Sequence, residues 1–392
     1  MNEASLIPNK RLHYLDNLKI FLTMLVIVHH VGQAYGPTGG FWQYKSSLHE
    51  NIPWLGLFFA VNAGFFMGLF FMISGYFLPG SFDRQGSHAV KDKLRRYGIP
   101  VLFGALVMVP LEMYFYYINY SGNRPLSFIK YFLNIYLGIG GKPTWVKATI
   151  GWPELNFGHL WFVEQLLVYS LVYFIISILI KKLFTKSNIK KEEKSIGFMP
   201  IILISVLIAF ASAVARIWYP QDRWVALLGF IQAEPAHLFQ YLVLFTVGII
   251  AYRKNWFSKI RKITGYSSLI LGITMVLIVY FIKFFPEVVG KAIWFNWGAY
   301  ESFLAVFLCF GLVVFFREKM NYTSKLLKYL SENSYAAYIF HFPIVLTLQY
   351  SLDKINICGA WGKFLTVSAL SIVITYFVSS IIRKIPYMKR VI

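Results

Sequence analysis

Residues Leu15–Tyr35 read LDNLKIFLTMLVIVHHVGQAY. Past Lys19 the run is apolar as far as the His29–His30 pair. It is long enough to cross the ~30 Å hydrocarbon core of a bilayer as a helix, which takes about 20 residues at ~1.5 Å rise each. Periodicity alone does not separate a buried helix from a membrane span, but the rest of the chain decides. Nine more such runs follow: Trp54–Leu78, Ile99–Ile118, His159–Ile180, Met199–Tyr219, Ala236–Tyr252, Tyr266–Phe285, Trp297–Phe316, Ser334–Tyr350 and Trp361–Ile382. The chain of 392 residues is 57% hydrophobic and only 14% charged, with a mean hydropathy of +0.57. Soluble chains carry about 25% charged residues. The expected fold is all-α: one polytopic membrane domain over 1–392, with about ten transmembrane helices. Leu126–Gly138 is too short to span and carries Lys130, so it reads as an amphipathic helix on the membrane surface.

The basic residues orient the bundle. With the N-terminus inside, the inner segments hold Lys10, Arg11 and Lys19; Arg84 to Arg96; Lys181 to Lys194; Arg253 to Lys262; Arg317 to Lys328; and Arg383 to Arg390. Most of the 38 Lys and Arg fall there. Lys and Arg concentrate in cytoplasmic loops of membrane proteins, so both termini are expected in the cytoplasm and the chain in the cell membrane. The net charge of +21 then marks topology, not nucleic acid, since no hydrophilic domain exists to carry such a partner. The polar first residues and the lack of a small-residue cleavage site make the first run an anchor. Cys309 and Cys358 fit neither a disulfide framework nor a metal-ligand spacing. No internal repeat and no linker stands out, and a homo-oligomer remains open.

Ionisable side chains inside spans are costly and mark functional positions by default. Lys19, Asp16 and His30 lie in the first span, Glu112 in the third, and Glu164 in the fourth with His159 at its outer mouth. Arg216 is in the fifth, Glu234 and His237 open the sixth, Glu301 lies in the eighth and His341 in the ninth. Glu112, His159, Glu164, Arg216, Glu234, His237 and Glu301 share the outer half, which points to an outward-facing wet cavity for a hydroxyl-bearing ligand. The competing reading is helix-to-helix hydrogen bonding or snorkelling. His30 lies eleven residues after Lys19, three turns and about 16 Å along a helix. Its neutral imidazole suits a general base acting on a hydroxyl, though a packed core histidine would look the same. His29 points roughly 100° away. Ser74 and Gly75 in FFMISGYFLPG (Phe70–Gly80) allow close backbone approach. Arg95 and Arg96 in KDKLRRYGIP, a basic loop ahead of the third span, sit where a guanidinium clamps phosphate. In LSENSYAAYIFHFPI (Leu330–Ile344), Ser331 or Asn333 can cap a helix starting near Ser334.

In this order the segments resemble the acyltransferase-3 family of integral membrane acyltransferases, over nearly the whole chain. The resemblance rests on Leu15-Asp16 with Lys19, ten intervening residues and His30. It also rests on Phe70-Phe71-x-x-Ser74-Gly75, on Arg95, Arg96 and Pro100, and on Trp161 with Glu164. The last element is Ser334-Tyr335, Tyr338, His341 and Pro343. Lys19 stands where Arg is more usual. The Gly-His-Leu-Trp-Phe form at 158–162 is most similar to the branch that includes periplasmic glucan acyltransferases. The resemblance implies transfer of an acyl group, acetyl or succinyl, from cytoplasmic acyl-CoA to a hydroxyl of an extracytoplasmic glycan. Acyl-CoA would be a co-substrate rather than a bound cofactor, with no metal. Catalysis would fall to His30, Glu164 and Lys19. The acyl-CoA would be held by Arg95, Arg96, Ser74 and Lys19, and the acceptor by His159, Glu112, Glu234, His237 and Glu301. A transient acyl-histidine is a second chemistry. The rival class, a secondary transporter or lipid-linked sugar flippase, usually shows inverted repeats and paired broken helices, which are not found.

Overall fold

The computed structural model describes residues 11–37, 40–48, 50–146, 152–183, 195–284, 297–355 and 358–392. The basic residues at Lys10 and Lys186–Lys194 lie outside them. Among the described residues there are ten long helices: α1 His13–Gly32, α2 Trp54–Gln85, α3 His88–Tyr120, α4 Trp161–Leu183, α5 Met199–Trp218, α6 Pro235–Arg253, α7 Lys262–Phe284, α8 Trp297–Lys319, α9 Lys325–Leu352 and α10 Gly359–Ile382. Nine of them, all but α9, are long and apolar enough to cross a membrane among the described residues. Asn333, Ser334, His341 and Gln349, all buried, lower the hydropathy of α9. Among the described residues each of the ten expected runs is helical over most of its length.

Burial separates centre from rim. In α2 and α8, 72% of the most apolar window is buried, against 22% in α7. α2 and α8 are therefore the axis of the bundle and α7 lies outside it. On α5, Leu203, Phe210 and Ile217 are 61%, 71% and 71% exposed. Their spacing of seven lays one apolar stripe along the outside of the helix, as a lipid-facing surface requires. Ser205, Ile208, Ser212 and Ala215 form its buried face.

α2 and α6 pack at backbone distance. A Cβ on Gly75 would sit 2.1 Å from the Phe245 carbonyl oxygen, and one on Gly248 2.0 Å from that of Met72. Small residues at such crossings let helix backbones approach.

Three sequence expectations are corrected. The basic stretch 91–100 is not a loop: α3 begins at His88 and runs through it, with wider π-type turns at Leu94–Gly98 and Gly104–Met108. α9 starts at Lys325, capped by Ser324 Oγ accepting from Leu327 N at 3.2 Å. Ser334 and Asn333 are therefore interior, bonded to the carbonyls of Leu330 and Tyr329. The all-α expectation holds, with one small antiparallel hairpin, β1 Val225–Leu227 and β2 Ile231–Ala233, between α5 and α6. Its turn is set by Leu228 and Gly229, both at positive φ. Finally, the segment at 128–136 is helical, but it buries Tyr131, Ile135 and Tyr136 against Val109, Met113 and Tyr117 of α3. Its polar atoms are tied down too, with Tyr131 donating to Glu154 at 2.8 Å and Tyr136 to the Ala105 carbonyl at 2.7 Å.

Candidate functional site

A cavity of about 250 Å³ opens at the basic end of the bundle. Lys19 and Thr23 of α1, Phe70, Ile73, Ser74 and Phe77 of α2, and Lys93, Arg96 and Tyr97 of α3 line it, with Phe162 and Leu166 of α4 and Ser334, Tyr335 and Tyr338 of α9. Three of the four residues that the sequence suggests for acyl-CoA are thus brought together. Arg95 is not. Neighbours on a helix diverge by about 100°, so Lys93, Arg96 and Tyr97 share a face while Arg95 turns away, its guanidinium 5.8 Å from the Tyr387 ring. Lys19 is held by Asp16 at 2.8 Å, which also accepts from Arg11 at 2.7 Å, and its ammonium lies 5.1 Å from the Phe77 ring.

Two prolines explain how α3, α4 and α9 are joined. A proline has no N–H, so it frees the carbonyl four residues before it. Pro100 frees that of Arg96, and Tyr335 OH donates to it at 2.5 Å. The Arg96 guanidinium lies 5.4 Å from the same Tyr335 ring. Pro343 frees that of Ile339, and His159 Nε2 donates to it at 2.9 Å. Tyr338 OH completes the joint by donating to the His159 carbonyl at 2.5 Å.

His159 is consequently interior, only 5% exposed, rather than at the outer mouth. Its ring centroid is 4.9 Å from that of His341, which in turn is 5.2 Å from His30. His30 donates through Nδ1 to Gln33 Oε1 at 2.6 Å, which leaves the lone pair on Nε2. It does not line the cavity. Thr23 does, seven residues earlier on the same face of α1, about 10 Å away along the helix. Tyr338 also lines it, 5.9 Å between ring centroids from His341. His29 packs among Phe58, Phe59 and Phe66 instead.

From the far side, residues 40–48 cover His30. The Trp42 ring stacks on it at 5.6 Å and 12°. Trp42 Nε1 donates to Gln349 Oε1 at 2.7 Å, and Tyr350 OH to the Gln43 carbonyl at 2.9 Å. Beyond them Asp353 accepts from Tyr44 OH and from Ser47 N, and the Lys363 ammonium donates to its carbonyl. Burial raises the Asp353 pKa, but these hydrogen bonds outweigh it and hold the carboxyl below its ordinary value.

The other acidic candidates lie elsewhere. Glu164 is buried, yet it faces the hairpin, accepting from Gln232 N at 3.1 Å. Phe162 and Leu166, on either side of it, take the cavity face. Glu234, His237, Glu301 and Arg216 bond one another. His237 sits 2.7 Å from Glu234 and 2.9 Å from Glu301, and Arg216 is 2.5 Å from Glu301. This network ties α5, α6 and α8 together, apart from the contact group of His30, His159 and His341. Glu112 is 5% exposed, and neither carboxyl oxygen has a hydrogen-bond partner among the described residues. No cluster of three or more His, Cys, Asp or Glu with metal-binding geometry occurs among the described residues.

Sequence reasoning passed over Thr23, Trp42, Gln43 and Gln349. Thr23 was within reach, being placed at i and i+7 with His30. The other three meet the site only through tertiary contacts.

The profile of the acyltransferase-3 family, described as an acyltransferase domain, matches residues 12–383. The chain belongs to that family, and is a multi-pass membrane O-acyltransferase in its general activity. No curated protein and no solved structure matches it.

Proposed function

We propose that the protein moves an acetyl or succinyl group from cytoplasmic acyl-CoA to a hydroxyl of a glycan on the other side of the cell membrane, with His30 as general base. The observation that carries this reading is the basic cavity, which runs up to Thr23 and Tyr338 while His30 lies two turns beyond Thr23 on the same helix face. Lys19, Lys93 and Arg96 suit the phosphates of coenzyme A, since a guanidinium or ammonium makes charge-assisted hydrogen bonds to phosphate. Phe70, Ile73 and Phe162 suit the thioester arm.

In this scheme the acceptor hydroxyl gives its proton to His30 Nε2 as its oxygen attacks the thioester carbonyl. The C–S bond breaks, the ester forms, and the coenzyme A thiolate leaves and takes a proton back from the imidazolium. Gln33 fixes the tautomer that this requires. Asp16 holds Lys19 at the mouth, so Lys19 serves donor binding. Incubating purified protein with radiolabelled acetyl-CoA or succinyl-CoA and a glycan panel, followed by product mass, tests the proposal. A labelled glycan is expected, and no transfer from either thioester would overturn the donor assignment.

A further inference from the structure

A second cavity, of about 420 Å³, opens at the basic end of the bundle and shares no lining residue with the first. It lies between the start of α5 and the first turns of α7, both of which pack on α8 rather than on each other. Gly265 and Gly272 turn α7 toward α8: a Cβ on Gly265 would sit 2.3 Å from that of Val314, and one on Gly272 2.7 Å from the Leu308 side chain. Thr264, Ser267 and Leu271 take the neighbouring flank of α7 and line the cavity with Gly197 and Phe198, and the exposed Ile263 stands at its rim. The Phe198 ring stacks on Phe307 of α8 at 5.7 Å.

The two segments are zipped together at the mouth. Ile196 N donates to the Lys259 carbonyl at 3.1 Å, and Arg261 N to the Ile196 carbonyl at 3.4 Å. Arg261 Nε donates to Ser195 Oγ at 3.2 Å, which lays the guanidinium beside Gly197. Residues 253–262 carry Arg253, Lys254, Lys259, Arg261 and Lys262 and no acid. Arg253 pairs with Asp83 and Lys262 with Glu318, whereas Arg261 meets no carboxylate among the described residues. Thr264 is 6% exposed. Its carbonyl accepts from Ser268 Oγ at 2.8 Å, but its hydroxyl has no partner among the described residues. Along one flank of α7 the lining thus passes from a cation at 261 to hydroxyls at 264 and 267 and an apolar wall at 271, over about 15 Å at ~1.5 Å per residue.

We propose that this cavity binds one anionic phospholipid from the leaflet at the basic end, with its phosphate on Arg261, its ester oxygens on Thr264 and Ser267, and an acyl chain against Phe198 and Leu271. A guanidinium makes charge-assisted hydrogen bonds to phosphate, and hydroxyls donate to ester carbonyls. Basic pockets between membrane helices suit acidic headgroups. A headgroup that carries its own ammonium meets like charge in a segment with no acid. Free phosphate would satisfy Arg261 and leave the apolar half unfilled. The site stands apart from the acyl-transfer reading and does not depend on it.

The test is native mass spectrometry of the purified, delipidated full-length protein in detergent, titrated with dioleoylphosphatidylglycerol or dioleoylphosphatidylcholine. The first equivalent of phosphatidylglycerol should bind about fivefold or more tightly than the first of phosphatidylcholine, the scale of one basic residue facing an acidic lipid. Arg261→Ala should lose about tenfold or more in phosphatidylglycerol affinity, the scale of one charge-assisted hydrogen bond. Thr264→Val, which keeps the side-chain shape, should lose about fivefold. Leu271→Trp should lose as much as Arg261→Ala by filling the apolar end without a change of charge. Lys254→Ala removes the same charge from the same segment but outside the cavity, and should change the affinity by less than about twofold. Equal affinity for the two lipids, wild-type affinity in either Arg261→Ala or Leu271→Trp, or an equal loss in Lys254→Ala would show attraction to the basic surface at large and overturn the site. Displacement of phosphatidylglycerol by millimolar inorganic phosphate would show a bare anion site and overturn the lipid as its occupant.

Discussion

His30 and Lys19 divide the labour along one helix face, and their substitutions should separate. A general base contributes about 10²–10⁴-fold in rate. His30→Ala should therefore cut turnover by that order, with acyl-CoA binding kept. His29→Ala should do much less, because its ring is packed among three phenylalanines. Steady-state kinetics with labelled acyl-CoA checks both, and comparable losses would move the role away from His30. Lys19→Arg should keep donor affinity and Lys19→Ala should lower it. Arg96→Ala should weaken donor binding while Arg95→Ala leaves it near wild type, since only Arg96 lines the cavity. At this scale the sequence was legible for Lys19, which lines the cavity as expected, whereas His30, expected to line it too, lies two turns beyond Thr23 and does not. The sequence was not legible for Arg95 against Arg96, whose directions depend on the π-type turn at Leu94–Gly98. Glu164 looked like a site residue because a buried carboxylate is costly; one of its oxygens accepts from a hairpin that no local pattern announces, and the other has no partner among the described residues.

Helices here are joined at the places where their own hydrogen bonding is broken. Tyr335→Phe would remove the hydrogen bond that the Tyr335 hydroxyl donates to the Arg96 carbonyl. Acyl-CoA affinity should fall although the guanidinium remains, and an unchanged dissociation constant would show that the joint does not position Arg96. Gly75→Ala should lower the melting temperature, since overpacking a tight contact costs about 1–3 kcal/mol and the new methyl would meet the Phe245 carbonyl. The cover at 40–48 is latched by Asp353. A carboxylate held below its ordinary pKa contributes stability above the unfolded pKa and loses it as pH falls through the folded one. The latch should therefore hold unchanged across neutral and mildly acidic pH. Asp353→Asn should open it at any pH, seen as faster labelling of Lys45→Cys in a Cys358→Ser background. The ten helices could be counted from apolar runs because a bilayer demands length. Their true ends could not, since α3 and α9 run on past the apolar stretch into charged residues.

Taken whole, the molecule has one basic end, and this fixes a topology that its own cysteines can report. Cys358 is exposed between α9 and α10, and Cys309 is buried. In intact cells a membrane-impermeant maleimide should label Cys358 from outside and leave Cys309 untouched. Ser258→Cys, exposed in the basic segment after α6, should react only after permeabilisation when Cys358 is replaced by Ser. Labelling of both from one side would overturn the count of ten crossings. The overall class was readable from composition because charge is nearly absent from long stretches. The hairpin at 225–233 was not, because strands of three residues are too short to show a period, and the network of Arg216, His237 and Glu301 was not, because it joins residues far apart in the chain.

The cover over His30 also has an electrical consequence. In the proposed orientation the basic cavity opens to the cytoplasm and ends at Tyr338, so the voltage across the membrane should fall mainly over the layer of Trp42, Phe342 and the three imidazoles. A charge crossing the full membrane feels about 2.3 kcal/mol per 100 mV. A proton taken up by His30 lies within that layer and should feel a sizeable part of it. Turnover in proteoliposomes should accordingly respond to an imposed potassium diffusion potential, whereas acyl-CoA binding at the cavity mouth should not.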